Sequence, residues 1–328
     1  MKNLTSPRRQ KGLTLIELMV AMIISLIVVL AAAAALLLSR QGFTQVDAAS
    51  QLRDNARFAE ELIQRLAMQA GYRDIQFAAT SRPPTTTGMN EEWPNLYGFN
   101  NRSRSTSNQS HEASPSERSA NSLGYGSDIL VLRFQSASSE FGSAPTDNAL
   151  IDCSGAAPDA KMTDRYERYS SVFHIAESNG EPALMCTRWP GAHDFGKADT
   201  QPLISGVENF QVLYGVDGIS TGSASFDPPD SVAETYLRAD QITHSDPSIN
   251  LQRWQRVRSI RVGMVLRGTP GTALSATNTT IHPLGTGSAI NMFASSNDAG
   301  TIFTPPDDGR LRQVVTFTAH LRNPQGDE

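Results

Sequence analysis

The sequence has little from which to build a catalytic centre. No Walker A loop and no H-E-x-x-H pair occurs, and no nucleophile is placed beside a base. The six histidines are dispersed, so no imidazole cluster with metal-ligand spacing exists. These absences point away from an enzyme and from a cofactor. Cysteine is scarce: only Cys153 and Cys186 occur, which excludes a disulfide-dense scaffold and a four-cysteine zinc site. A basic excess is missing too. The net charge is −5, and the four cations of the first dozen residues (Lys2, Arg8, Arg9, Lys11) leave −9 for the rest, unlike a general nucleic-acid-binding surface. Among 328 residues there is also no clean linker between two hydrophobic cores, which argues for one elaborated domain after an amino-terminal helix.

The most informative absence is local. From Leu18 to Leu38 there are 21 residues with no charge, and Ser25 is the one polar side chain. At about 1.5 Å per residue such a helix spans roughly the 30 Å hydrocarbon core of a bilayer. The run is too long for the apolar core of a cleaved secretory signal, and no A-x-A-type site follows it. One acid, Glu17, stands just inside this run with no basic residue after it. A charge at that depth costs about 2.5–3.5 kcal/mol on insertion scales and is usually paired and functional. A cut between Gly12 and Leu13 would create an amine one helical turn from Glu17. It would also remove the cations that hold the leader on the cytoplasmic side.

Gly12-Leu13-Thr14-Leu15-Ile16-Glu17 followed by a full span resembles the prepilin peptidase site of type IV pilins and type II secretion pseudopilins. The resemblance implies cleavage after Gly12, N-methylation of Leu13, and pairing of Glu17 with a neighbouring subunit's amine. Leu13 departs from the phenylalanine usual there. Asn55-Ala56-Arg57-Phe58, then Ala70-Gly71-Tyr72, and the ending Leu321-Arg322-Asn323 narrow the likeness to the PilW type of minor pilin. Relatives of that type often carry a cysteine soon after the tyrosine. None is present here, so their disulfide pattern does not transfer. In the implied periplasm, Cys153 and Cys186 fit either a single disulfide or two buried free thiols. Arg57 and Tyr72 read as packing and capping residues of the helix end.

The organisation that follows is a cleaved leader at 1–12, a long helix at 13–70 with 13–38 in the membrane, and a periplasmic pilin-like head at 71–328. Val46, Ala49, Leu52, Ala56, Ala59, Ile63 and Leu66 form the stripe that would pack the helix on the head, Gly42 could mark a bend or merely a tolerated weak point, and Gly71 should stop the helix. Residues 73–126 read as a polar surface excursion, with some order around Trp93, Tyr97 and Phe99. Arg102, Arg104 and Arg118 within it could mark a nucleic-acid patch, but nearby acids favour a solvated loop. Strands are expected at 128–134, 171–176 and 183–189, the last two joined by a turn at Ser178-Asn179-Gly180-Glu181. Residues 202–214 read as a short turn leading into a strand, 215–255 as an insertion with a helix near 246–256, and 268–309 as another polar excursion. Strands at 256–267 and 313–321 complete the head. The fold class is therefore α+β: a long helix, half in the membrane, against an antiparallel sheet with long loop insertions. His174 reads as a packing residue. Asp227-Pro228-Pro229-Asp230 and Asp307-Asp308-Gly309 have oxygen ligands that suit calcium but lack the spacing of a calcium loop, and read as turns.

The resemblance implies a minor pilin in the initiation or assembly of a type IV pilus, within a tip complex of minor pilins. Its partners would be the prepilin peptidase, other minor pilins, the major pilin and the inner membrane. A minor pseudopilin of type II secretion, and a pilus-borne adhesin or DNA-uptake subunit, are the alternative readings.

Overall fold

The computed structural model describes residues 12, 14–74, 94–104, 115–137, 146–158, 168–189, 198–221, 226–273, 279–285, 298–323 and 325. Trp93 lies outside them. Helix α1 (Leu15–Gln69) is one unbroken element of 55 residues that runs straight through Gly42. Thr14 starts it: its hydroxyl accepts from the Glu17 N–H, and Glu17 reaches back, a capping box. Gly71, at φ +78°, ends it by taking a backbone conformation closed to side chains with a Cβ.

Two antiparallel sheets follow. The first orders β1 (Leu96–Phe99), β4 (Ile129–Phe134), β5 (Tyr169–Ser178), β6 (Glu181–Arg188) and β7 (Asp199–Ser205) from edge to edge. A two-stranded ribbon pairs β2 (Arg102–Ser103) with β3 (Ser116–Glu117). The second sheet orders β11 (Arg312–His320), β10 (Val257–Arg267), β8 (Val207–Val216) and β9 (Thr235–Leu237). Two short helices, α2 (Ala239–Ile242) and α3 (Pro247–Gln255), sit between β9 and β10. The Asn179-Gly180 turn, both residues at positive φ, joins β5 to β6, so the turn read in the sequence is present.

The sheets are tied at the start of β4. The Asp128 N–H donates to the Phe210 carbonyl at 2.8 Å, and its carboxylate accepts from the Val212 N–H at 2.8 Å and the Asn101 N–H at 2.9 Å. Burial, reinforced by Asp298 and Asp240, pushes the Asp128 carboxyl well above the usual range. The apolar core spans both sheets. It includes Leu130 and Leu132 of β4, Phe210 and Val212 of β8, and the alternating Ile260, Val262, Met264 and Leu266 of β10. Tyr214 meets Trp254 of α3 edge to face at 4.9 Å between ring centroids.

Helix α1 enters this core only in its second half, packing chiefly on β11 and also on β10 and β4. Leu52, Ala56, Ala59, Ile63 and Leu66 of the expected stripe are buried, whereas Val46 is exposed. The first buried residue is Ala48, because the head reaches down only that far.

Three further readings need correction. Residues 73–126 are not merely an excursion: Leu96 and Tyr97 are core residues, and β1 closes one edge of the first sheet against β4. Residues 202–214 are not a turn into one strand. Gly206 (φ +83°) separates β7 from β8, and the chain changes sheet there. A Cβ on Gly206 would stand 2.5 Å from the Arg267 carbonyl oxygen, so the close approach needs glycine. The stretch 268–309 folds back in part over the outer face of β10. Its Pro283 carbonyl and Leu284 lie against Gly263, Arg261 donates to the Leu284 carbonyl at 2.9 Å, and Leu284 is buried. The alternation of β10 showed a small, polar outer face but not what covers it.

Candidate assembly site

The amino-terminal region is simple in geometry. The Glu17 carboxylate accepts from the Thr14 backbone N–H at 2.9 Å and from the Thr14 hydroxyl at 3.0 Å. All three groups are exposed, as are the residues on every side of α1 from Leu15 to Thr44. Gly12 is exposed and Leu13 lies outside the described residues. Thr14 was missed as a participant, although T-x-x-E before an apolar run was legible as a capping box. The helix is long and apolar enough to cross a membrane, and none of its most apolar stretch is buried in the protein.

At the other end, the last turn of α1 is closed by the C-terminal strand's extension. Asn323 Nδ2 donates to the carbonyls of Met68 at 3.0 Å and Ala70 at 3.1 Å, with Gln69 at 3.5 Å. These are carbonyls that a helix end otherwise leaves bare. Arg57 does not cap the helix: it points outward and is exposed. Its position on α1 faces away from β11, so packing cannot reach it. Tyr72 is half-buried against Phe134 and Tyr169, and its carbonyl accepts from the Gln135 N–H.

Cys153 and Cys186 form a disulfide, with Cα atoms 5.7 Å apart and a sequence separation of 33. It pins the loop around Asp152 to β6, helped by an Arg188–Asp152 ion pair at 3.2 Å. Where the head first meets α1, three arginines and three acids interlock. Arg267 and Arg310 share Glu181 at 2.7 and 2.9 Å, while Arg312 binds Glu208 at 2.7 Å and Asp308 at 2.9 Å. Hydrogen bonds from Arg310 and Arg267 hold the Glu181 carboxyl below the usual carboxylate range.

The remaining candidates resolve into structural roles. Arg118 donates to the carbonyls of Arg102, Leu123 and Ile175, and burial brings its guanidinium down to about 10. Arg104 stacks over Trp189 and Arg102 bonds the Pro115 carbonyl, so the three arginines serve the fold. His174 Nε2 meets the Thr187 hydroxyl at 3.0 Å, and burial with the nearby Arg104 and Arg118 depresses it to about 3. Asp217, Asp230 and Glu234 come together, but Asp217 is already bound by Arg258 at 2.9 Å and by the Ser231 N–H, and Glu234 accepts from the Gly218 N–H. Asp308 is likewise committed to Arg312. Gly218-Ile219-Ser220-Thr221-Gly222 has the spacing of a nucleophile elbow. Its setting is wrong: Ile219 forms a bridge to Phe226 rather than leading into a helix, and the Ser220 carbonyl serves Arg253.

Residues 7–33 match the prokaryotic N-terminal methylation motif, and residues 172–323 match the family described as type IV pilus-assembly protein W. The chain is similar to the PilW family over the second of these segments and carries a pilin-type methylation motif in the first. The first match covers the capping box and the start of the span, and the second runs from β5 to the Asn323 cap. These likenesses support a type IV pilus minor pilin, a kind of structural protein not normally enzymatic, and the N-terminal motif and apolar helix suggest membrane anchoring. The likeness to the PilW family suggests contact with other pilus components, and the motif suggests processing by the prepilin peptidase. A type IV-like pilin from Thermus thermophilus is similar in structure: identity is 12%, the TM-score 0.41, and the alignment covers 84% of this chain and 98% of that one. No curated protein matches the chain.

Proposed function

We propose that this minor pilin acts in the initiation of a type IV pilus, as a member of a tip complex of minor pilins. On this reading residues 1–12 are the leader, 13–38 span the inner membrane and 71–328 form a periplasmic head that later rides on the filament. Cleavage after Gly12 frees the Leu13 amine. Glu17 then exchanges its bonds to Thr14 for the amine of an adjacent subunit, which fixes the axial register of the helix. The capping box fits a resting state, since it supplies hydrogen bonds to the carboxylate but no compensating charge.

The observation that carries the reading is the nakedness of α1. Among the described residues, nothing packs on its large apolar side chains before Ala48, and Glu17 bonds only to Thr14. Lipid or other helices must cover that surface. The test is Glu17→Ala in cells that build the pilus. The variant should insert into the membrane, carry a methylated Leu13 by mass spectrometry, and fail to co-purify with filaments. Filaments containing normal amounts of the variant would refute the charge pairing, and an intact Met1 would refute the processing.

A further inference from the structure

Five large apolar side chains outside α1 are conspicuously exposed among the described residues: Leu123, Tyr125, Val232, Ile302 and Val314. Three of them gather at one place. Leu123 (38% exposed), Tyr125 (39%) and Ile302 (44%) line a cleft of about 550 Å³, with Pro182 and Phe303 beside them. Clustering of this kind marks an interaction site, whereas scattered apolar residues are normal.

The walls are held rigidly. The Arg118 guanidinium donates to the Leu123 carbonyl at 2.9 Å and, through its other nitrogens, to Ile175 and Arg102. The Tyr125 N–H closes a turn onto the Ser122 carbonyl, and the Gly126 N–H donates to Asn101 Oδ1 at 2.9 Å. The opposite wall is locked to this one: Gly126 (φ +84°) and Gly300 (φ +91°) abut so closely that a Cβ on Gly126 would come 2.4 Å from the Gly300 Cα. Thr301 and Asp298 fix the turn before Ile302, with Asp298 held by Asn100 at 2.9 Å. Three apolar groups are therefore presented without a large ordering cost on binding.

Charge and position select the occupant. The charged residues of the lining, Glu208 and Arg267, are paired with each other at 3.0 Å, so the cleft favours an uncharged group. Arg267 also borders the groove where Ala48, Leu52 and Asn55 of α1 first meet the head. The cleft thus lies toward the end of the head at which α1 leaves for the membrane, which a ligand arriving from outside the cell would reach last.

We infer that this cleft receives an uncharged, apolar loop from the head of another pilin-type subunit lying on its membrane side. The inference rests on the assembly reading above and adds the head-to-head contact to it. The test uses the full chain, co-expressed with the other pilin-type subunits and purified in detergent. Leu123→Asp and Ile302→Asp should each weaken co-purification of a pilin-type subunit about tenfold, the loss expected when one such side chain can no longer be buried. Val232→Asp, outside the cleft, should leave it unchanged. A photo-cross-linking residue at position 302 avoids any folding defect and should capture a pilin-type subunit through its head. The inference is overturned if both aspartate variants co-purify normally, or if position 302 captures no such subunit. It is also overturned if a glycan bound by the wild type is lost in Ile302→Asp while subunit capture persists. Wild-type protein that captures no pilin-type subunit by any route would remove the assembly reading itself, a result distinct from loss of this contact alone.

Discussion

The two halves of α1 are one helix built for two surroundings. From Leu15 to Leu38 every position but Glu17 and Ser25 is apolar, and all are exposed, Leu15 at 76% and Leu38 at 69%. From Ala48 to Gln69 one face is buried, and that face carries Ala48, Ala56, Ala59 and Ala67 as well as Leu52, Ile63 and Leu66. Small residues let the helix lie close on β11. The first half has nothing to lie on, so its side chains are chosen for a solvent rather than for a partner in the chain. A helix that were simply a core element of a soluble domain would show the second pattern throughout.

The sharpest way to break this comparison is to remove one aliphatic side chain from each half. Ile63 is fully buried, and Ile63→Ala should destabilise the head by about 2–5 kcal/mol in urea unfolding of the detergent-solubilised protein. Ile27→Ala removes the same groups from a 60%-exposed site and should leave the head's transition within about 0.5 kcal/mol. If both changes destabilised the head equally, the first half would be packed on protein and the membrane reading of it would be wrong.

A smaller effect tests how the packed half ends. Asn323→Ala removes the donor that serves the Met68, Gln69 and Ala70 carbonyls. The expected cost is about 1 kcal/mol, with faster amide exchange confined to the last turn of α1. Asn323→Asp should be as damaging or worse, because a carboxylate cannot donate and faces the negative end of the helix dipole. No loss in either variant would mean that Gln325, which also reaches Ala70, holds the end alone.

Much of this was legible in the residues, for reasons that differ along the chain. The long apolar first half of α1 was legible because its length and hydropathy are matters of composition alone. Strands β5, β6, β10 and β11 were legible because alternation and an Asn-Gly turn are local signals. The core role of Leu96 and Tyr97 was not, because a short β1 gains its place from β4, more than 30 residues away in sequence. Nor was the passage between sheets at Gly206, since a glycine between two β-rich runs reads equally as a hairpin or as a break. At the amino terminus, the acid drew the eye and the capping threonine did not. A buried charge announces its need for a partner, whereas Thr14 looks like any other small residue at a helix start. Arg57 shows the reverse error: a distinctive residue was given a role in its own head, when its position on α1 turns it away from that head.

The smallest expected effect concerns that outward face. Phe58 lies on α1 within the packed half yet is 49% exposed, and Met68 on the same outer side is exposed to the same extent. Neither belongs to the core, so the intramolecular fold does not account for an aromatic ring at position 58. Phe58→Ala should change the head's stability by no more than about 0.5 kcal/mol, the usual range for surface substitutions. In filaments the same change should reduce incorporation, because a ring that the protein alone leaves in water gains most when a neighbouring subunit covers it. Urea unfolding and filament co-purification measured on one variant separate the two roles. A large loss of stability would place Phe58 among the residues that hold the head to α1. Unchanged stability with unchanged incorporation would limit the assembly surface of α1 to the stretch before Ala48, where burial in the head begins.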